Sequence, residues 1–351
     1  MGRWISRKRF SPIGVDFDDR SVKLVQFDTQ QTRLVEAVRW ELRIDDSMDE
    51  KAREECLVEA LRHGRNGRAF RGRDAVLCLG GDHLLVQNVR VPKASREDLT
   101  RLVYQEAAGR MPYPVDEAEV RYLETADVRQ ADTTMREVIV FACHRPEINR
   151  MLETIVRSGL RPVAVDVQPA ALLRCYAGQG RRHEDHRMCT MFVHIGTHKT
   201  AVIIAEGERL LFVKYVDVGG DEMDTSVARN LNIDRKDAAA LRRRNSNRQA
   251  DQQDREVARS VNESIRPVIS RLVNELSMCL RYHSVTFRKE PVSRVIFGGG
   301  EASKSLVETL GHELGVFCEL GDPFRDYSHR SPGGRKGQWD VATGLALRKV
   351  K

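Results

Sequence analysis

The sequence predicts a two-lobed α/β protein whose lobes are copies of one unit, with a small α/β segment inserted into the first. Three observations predict it. A strand–turn–strand–strand pattern occurs twice: Val15-Asp16-Phe17-Asp18-Asp19-Arg20-Ser21-Val22 and Val193-His194-Ile195-Gly196-Thr197-His198-Lys199-Thr200 share apolar positions and turn length at an offset of 178. A third strand follows each copy, and that period is far too long for a solenoid. The chain has 351 residues, 41% of them hydrophobic, more than one core of about 250–300 residues organises. Finally, an apolar strand at Val292–Phe297 runs through Gly298-Gly299-Gly300 into a helix.

The elements follow from local pattern. Ile13–Phe17 and Ser21–Asp28 alternate as strands about a tight turn, and Thr32–Arg43 is a third. Asp49–His63 is a helix, and Asp74–Leu79 is a strand stopped by Gly80-Gly81. The insert, residues 84–164, opens with strand Leu84–Val91. Ser95, with Glu97 and Asp98, then starts a helix striped by Leu99, Leu102, Val103 and Ala107. Met111-Pro112-Tyr113-Pro114 breaks that helix; strands Glu119–Glu124 and Arg136–Cys143 and a helix to Ser158 complete the insert. The first lobe is thus 11–83 plus 165–188. The second is 189–218 plus 292–351, with strands Cys189–Ile195, Thr200–Ala205 and Leu210–Val218, a helix at Ala302–Leu314 and a closing helix at Val341–Leu347. Residues 219–291 form a helical segment. Its long helix carries Val257, Val261, Ile265, Val268, Leu272, Leu276 and Leu280 on one face, and Pro267 is expected to bend it.

Composition excludes several functions. Basic residues number 58 against 51 acidic, a net charge of +7 with the signs interleaved. The basic concentrations at Arg3–Arg9, Arg62–Arg73 and Arg242–Arg244 lack the interleaved aromatics of base-stacking proteins, so no nucleic acid is expected. A modest attraction to acidic partners or anionic lipid remains. Seven cysteines, an odd number without a C-x-x-C pair, read as buried thiols in a reducing compartment. His183 and His186 fall in a polar loop, and no metal is expected there. No apolar run approaches the roughly 18 residues of a membrane span, and Met1–Phe10 reads as a frayed basic tail.

Two hairpin turns facing one cleft, with a glycine-rich strand-to-helix turn beside them, make a nucleotide-binding layout. Turn N–H groups cradle phosphates, and the glycines let backbone pass close to a base or ribose. Ile13-Gly14-Val15-Asp16 with Ser21-Val22-Lys23-Leu24, His194-Ile195-Gly196 with Thr200, Phe297-Gly298-Gly299-Gly300, and Ala342–Leu347 together resemble the actin-like family, with its duplicated ribonuclease-H-like lobes. Val218-Gly219-Gly220, Pro112-Tyr113-Pro114, Ser158–Pro162 with Asp166, Asp322-Pro323-Phe324 and the closing Ala-Thr-Gly-Leu-Ala-Leu-Arg narrow it. They resemble the pilus-assembly actin-like (PilM) family over residues 11–349. The related cell-division (FtsA) family normally adds a C-terminal amphipathic membrane helix; this sequence ends at Lys351, so that role is not expected.

The resemblance implies ATP with Mg²⁺ as cofactor, touched by Asp16, Asp18, Asp19, Ser21, Lys23, Gly196, Thr197, Thr200, Gly298, Gly299 and Gly300. It also implies a partner: the N-terminal cytoplasmic tail of a bitopic pilus membrane protein (PilN-like), bound in a groove between the first lobe and the insert. Strand Leu84–Val91 and helix Leu99–Gly109 are the expected walls. Other pilus or type II secretion components, self-association, and a cytoplasmic place beside the inner membrane belong to the same implication.

The departures point the same way. Asp18 and Asp19 stand where the family has Gly then Ser, and a close like-charge pair costs up to about 4 kcal/mol before screening. Asp also suits a plain hairpin turn. His194 replaces an Asp near the metal, and a neutral imidazole suits Mg²⁺ poorly. Ala239 and Arg242 stand where the family has Glu and Lys. A scaffold with degenerate nucleotide loops is therefore expected. The other reading is an active ATPase that switches or polymerises with nucleotide. No Ser-His-Asp order, P-loop or zinc spacing suggests other catalysis, and a sugar-kinase-like enzyme would need a catalytic Asp in the cleft that the sequence does not offer.

Overall fold

The structure is a computed structural model and describes residues 10–44, 48–130, 133–177, 179, 188–247, 254–287, 291–327 and 332–350. The basic tail before Phe10, His183 and His186 lie outside the described residues. In chain order the strands and helices are β1 (Ile13–Phe17), β2 (Ser21–Phe27), β3 (Leu34–Glu41), α1 (Glu50–Arg65), β4 (Asp74–Leu79), β5 (Leu85–Pro92), α2 (Arg96–Ala108), β6 (Ala118–Gln130), β7 (Thr133–His144), α3 (Arg145–Arg157), β8 (Arg161–Val167) and α4 (Gln168–Ala177). The second half contributes β9 (Cys189–Ile195), β10 (Thr200–Glu206), β11 (Arg209–Val216), α5 (Gly220–Leu231), α6 (Arg235–Asn247), α7 (Arg255–Phe287), β12 (Arg294–Gly298), α8 (Lys304–Leu314), β13 (Cys318–Leu320) and α9 (Asp340–Ala346).

The repeat is a repeat of topology. One sheet runs β3-β2-β1-β4-β8 and the other β11-β10-β9-β12-β13. In each, the first three strands are antiparallel and the last two join in parallel. Register repeats as well: Asp16 faces Lys23 across the first hairpin, and His194 faces Ala201 across the second. Both hairpins read as near-continuous apolar runs because both faces of each sheet are covered.

The insert is a three-stranded sheet, β5-β7-β6, and its central strand explains its own composition. Val138, Val140 and Ala142 of β7 pack with Leu99 and Val103 of α2. The alternate residues Ile139, Phe141 and Cys143 pack toward the lobes with Leu210 and Val213. The insert's sheet ends at His144, and helix α3, which follows it, packs on the first-lobe core through Ile155. Asn88 on β5 caps the free edge of β11, its amide donating to Val213 O (2.8 Å) and accepting from Val213 N (3.4 Å). Buried Glu137 accepts from Arg90 and from Tyr282 of α7, tying the insert to the helical segment. Pro267 does not divide α7: one helix runs Arg255–Phe287 because Ile265, Val268, Ile269 and Leu272 on either side are all buried in the second-lobe core.

The lobes meet where α4 and α9 cross. A Cβ on Gly344 would come within 1.9 Å of Ala171 O, and one on Gly14 within 2.0 Å of Ala342 O, so α9 is wedged between α4 and β1. A second repeat spans these two helices and the residues that flank them. Asp166-Val167…Leu173-Arg174 recurs as Asp340-Val341…Leu347-Arg348, and each Asp accepts the following backbone N–H, at 2.8 and 2.7 Å.

Candidate functional site

The two hairpin turns lie face to face across the interlobe cleft. Asp18 N donates to Ser21 O and Gly196 N to Lys199 O, both at 3.0 Å, the same bond in each copy. In the first turn Asp18 also accepts from the N–H groups of Arg20 and Ser21, both at 2.8 Å. The N–H groups that would cradle a phosphate are thus held by the turn's own carboxylate. Lys23 is buried and bonds Asp16 at 2.8 Å and Asp18 at 3.5 Å. Burial opposes its charge, but the two carboxylates outweigh that and raise its pKa above the ordinary lysine value.

The second-lobe residues of the expected site are also engaged. Thr200 donates to Val218 O at 2.7 Å, and the Thr197 and Gly196 carbonyls accept from Asp221 N and Gly220 N. A Cβ on Gly298 would lie 2.2 Å from Asp340 Oδ2, so this glycine makes room for Asp340. Gly299 adopts φ +92° and passes against Ile195, whereas Gly300 borders open space. His194, buried, pairs through Nδ1 with the fully buried Asp340 at 2.9 Å. Burial lowers the imidazole's pKa, but the Asp340 carboxylate more than reverses this, and the net shift is upward.

Cross-lobe charges complete the cleft. Arg20, from the first turn, bonds Asp221 and Asp224 (2.8 Å) of the helical segment and Glu301 (3.0 Å) of the second lobe. His198, at the equivalent position of the second turn, returns the contact: Nε2 bonds Asp19 and Nδ1 bonds Asp221, both at 2.8 Å. Two carboxylate partners, one for each ring nitrogen, require both nitrogens to donate, the imidazolium form. Its hydrogen bonds to Asp19 and Asp221 push its pKa up to about 10. Arg242, 2% exposed, pairs with Asp224 (2.6 Å) and Glu301 (2.7 Å), and Arg243 and Arg335 approach Glu301 too. Burial works against ionising Glu301, but these arginines prevail and lower its pKa. Arg242 also reaches Gly220 O, and Arg335 donates to Gly300 O. The network therefore occupies the space among the two turns, the Gly219-Gly220 corner and the glycine loop.

This arrangement does not fit Mg²⁺·ATP. The first-turn N–H groups, the Lys23 ammonium and the Thr200 hydroxyl are already bonded, and the guanidinium groups already face carboxylates. Of the eleven expected residues, Asp16, Asp18, Asp19, Lys23, Gly196 and Thr197 line a cavity of about 350 Å³ behind the turns, toward α1 and α3. Thr200 and the three glycines do not line it, and Ser21 is buried in its strand.

A larger cavity, about 660 Å³, lies between the first lobe and the insert. Leu79, Leu84, Leu123, Phe141, Ile148 and Val165 line it, with Arg121, Arg145 and Arg348 among its polar groups. It separates β6, the outer strand of the insert sheet, from β8, the outer strand of the first sheet. Of the expected walls only Leu84 takes part; the rest of that strand faces β7 and β11, and α2 covers the insert's far face.

The family model described as "Type IV pilus assembly protein PilM" matches residues 14–350. The chain belongs to the PilM family. Solved structures agree on the fold. The PilM chain of a "PilM-PilN type IV pilus biogenesis complex" is 22% identical and superposes with a TM-score of 0.80, covering 98% of this chain and 99% of that one. The ethanolamine utilization protein EutJ from Carboxydothermus hydrogenoformans is 13% identical, with a TM-score of 0.58 over 96% of this chain and 89% of that one. MreB5 of Spiroplasma citri bound to AMPPNP is 9% identical, with a TM-score of 0.50 over 95% and 93%. This PilM-family chain therefore has the actin-like fold. Among its described residues no helix is long and apolar enough to cross a membrane.

Sequence reasoning missed Asp340, Arg20, His198, Asp224 and Glu301 as parts of this PilM-family cleft. Asp340 had a signal, since its Asp-Val…Leu-Arg context repeats that of Asp166. Arg20 had none: its partners Asp221 and Glu301 lie 201 and 281 residues away.

Proposed function

We propose that this chain is a scaffold of type IV pilus assembly on the cytoplasmic side of the inner membrane. It docks the extended N-terminal tail of a bitopic, PilN-like partner in the groove between the first lobe and the insert. The observation that carries this reading is the groove itself: an apolar cavity with Leu123 exposed and Ile148 and Val165 half-buried along it, flanked by β6 and β8, which among the described residues are the outer strands of their sheets. An extended peptide satisfies both needs, pairing with an edge and placing alternate side chains among Leu79, Leu123, Phe141 and Val165. The solved PilM–PilN complex supports the choice of partner.

In this reading the degenerate loops hold the lobes together and do not turn over nucleotide. Titration of the purified chain with the partner's tail peptide tests the docking, and a null result at saturating peptide would sink it. Turnover of Mg²⁺·ATP that is abolished by Asp16→Ala would sink the second half.

A further inference from the structure

The first lobe presents a second feature that the groove does not explain. From the last turn of α1 through the loop into β4 stand Arg62, Arg65, Arg68, Arg71 and Arg73 together with His63, and no carboxylate intervenes. Among the described residues none of these five guanidinium groups lies in an ion pair, whereas nearby Arg150, Arg157 and Arg161 all pair with carboxylates. The Nη1 of Arg65 is buried without a partner, and burial and the neighbouring Arg73 depress its basicity.

The loop that carries them is held in place. Buried Gln26 donates to Arg71 O and accepts from Arg71 N, both at 2.8 Å, and Glu36 accepts from Ala69 N at 3.0 Å. Phe70 anchors it on the first-lobe core, while Gly67 and Gly72 turn at positive φ with open space around them. The loop backbone is thus held, and Arg68, Arg71 and Arg73 stand exposed along it without an ion-pair partner among the described residues. An external anion would stabilise such an array. At its rim Trp40, 40% exposed, stacks on His63 with ring centroids 5.6 Å apart. An exposed indole beside fixed cations is the side-chain pair that favours a headgroup interface.

We propose that this end of the first lobe is a docking face for anionic lipid headgroups. The cations are spread along a turn, and none of them lines any of the cavities described above, so a flat polyanionic surface fits better than an inserted peptide. The proposal is independent of the docking groove. The full chain is tested by co-sedimentation with phosphatidylcholine vesicles, with and without phosphatidylglycerol. Binding is expected only with phosphatidylglycerol, weakening steeply with salt. It should fall about fivefold per arginine removed, hence about a hundredfold in R68Q/R71Q/R73Q, all exposed positions. Trp40→Ala should weaken it further, while Arg259→Gln on α7 and tail-peptide affinity in the groove should be unchanged. Absence of wild-type binding, or binding that the triple variant retains, overturns the proposal. So does binding to polyglutamate with none to vesicles, which would assign the face to an acidic protein.

Discussion

The interlobe cleft and the groove beside the insert differ in where their unmet interactions lie. In the cleft Arg20, His198, Arg242 and Glu301 answer one another, and the turn N–H groups are answered by Asp18. In the groove, among the described residues, β6 and β8 are the outer strands of their sheets, and Leu123 stands 44% exposed between them. A site that satisfies itself is a joint. A site that does not is a place for a partner.

The comparison breaks most sharply at Arg242. Arg242→Ala would remove one cation from buried Asp224 and Glu301, which keep Arg20 and Arg243, at a cost of about 1–3 kcal/mol in chemical denaturation. A cost below about 1 kcal/mol would show that the cleft is solvated and not a joint. On the groove side, Leu123→Glu places a charge at a 44%-exposed apolar position. Tail-peptide affinity should fall at least about tenfold, roughly 1.4 kcal/mol, with folding stability changed by no more than about 0.5 kcal/mol.

A pH series sharpens the joint. His198 has its pKa raised from 6.5 to about 10. Its contribution is therefore fully present below pH 6.5 and lost as pH rises through about 10. The stability gap between wild type and His198→Ala should be constant below pH 6.5 and close above pH 10. A gap that persisted at high pH would mean the imidazole acts there without its charge. The smallest effect separates the glycines: Gly300→Ala, bordering open space, should stay within about 0.5 kcal/mol. Gly298→Ala should be strongly destabilising because its methyl would meet Asp340. If Gly300→Ala instead abolished function in folded protein, the glycine loop would have a ligand after all.

Much of this was legible along the chain. The offset between Asp16 and His194 gave the duplicated sheets, because register and turn length are local properties of a hairpin. Asp18, His194 and Arg242 depart from the residues that the family resemblance leads one to expect in the cleft. Their replacement roles were not legible. His194 reads as a lost metal ligand, yet it pairs with Asp340, 146 residues away. Of the expected groove walls, Leu84 lines the cavity between the first lobe and the insert, whereas α2 packs on the insert's other face; which face of an amphipathic element meets a lobe depends on how the insert docks.

By itself the sequence determined the two copies, the inserted sheet, the buried cores and the family, since period, turn chemistry and motif order are written within short spans. Only the tertiary structure decided that Arg20 and His198 cross between lobes, that Asp340 needs the space at Gly298, and that β6 and β8 leave an open channel. Charges separated by hundreds of residues choose partners by three-dimensional proximity, and no local pattern encodes that choice.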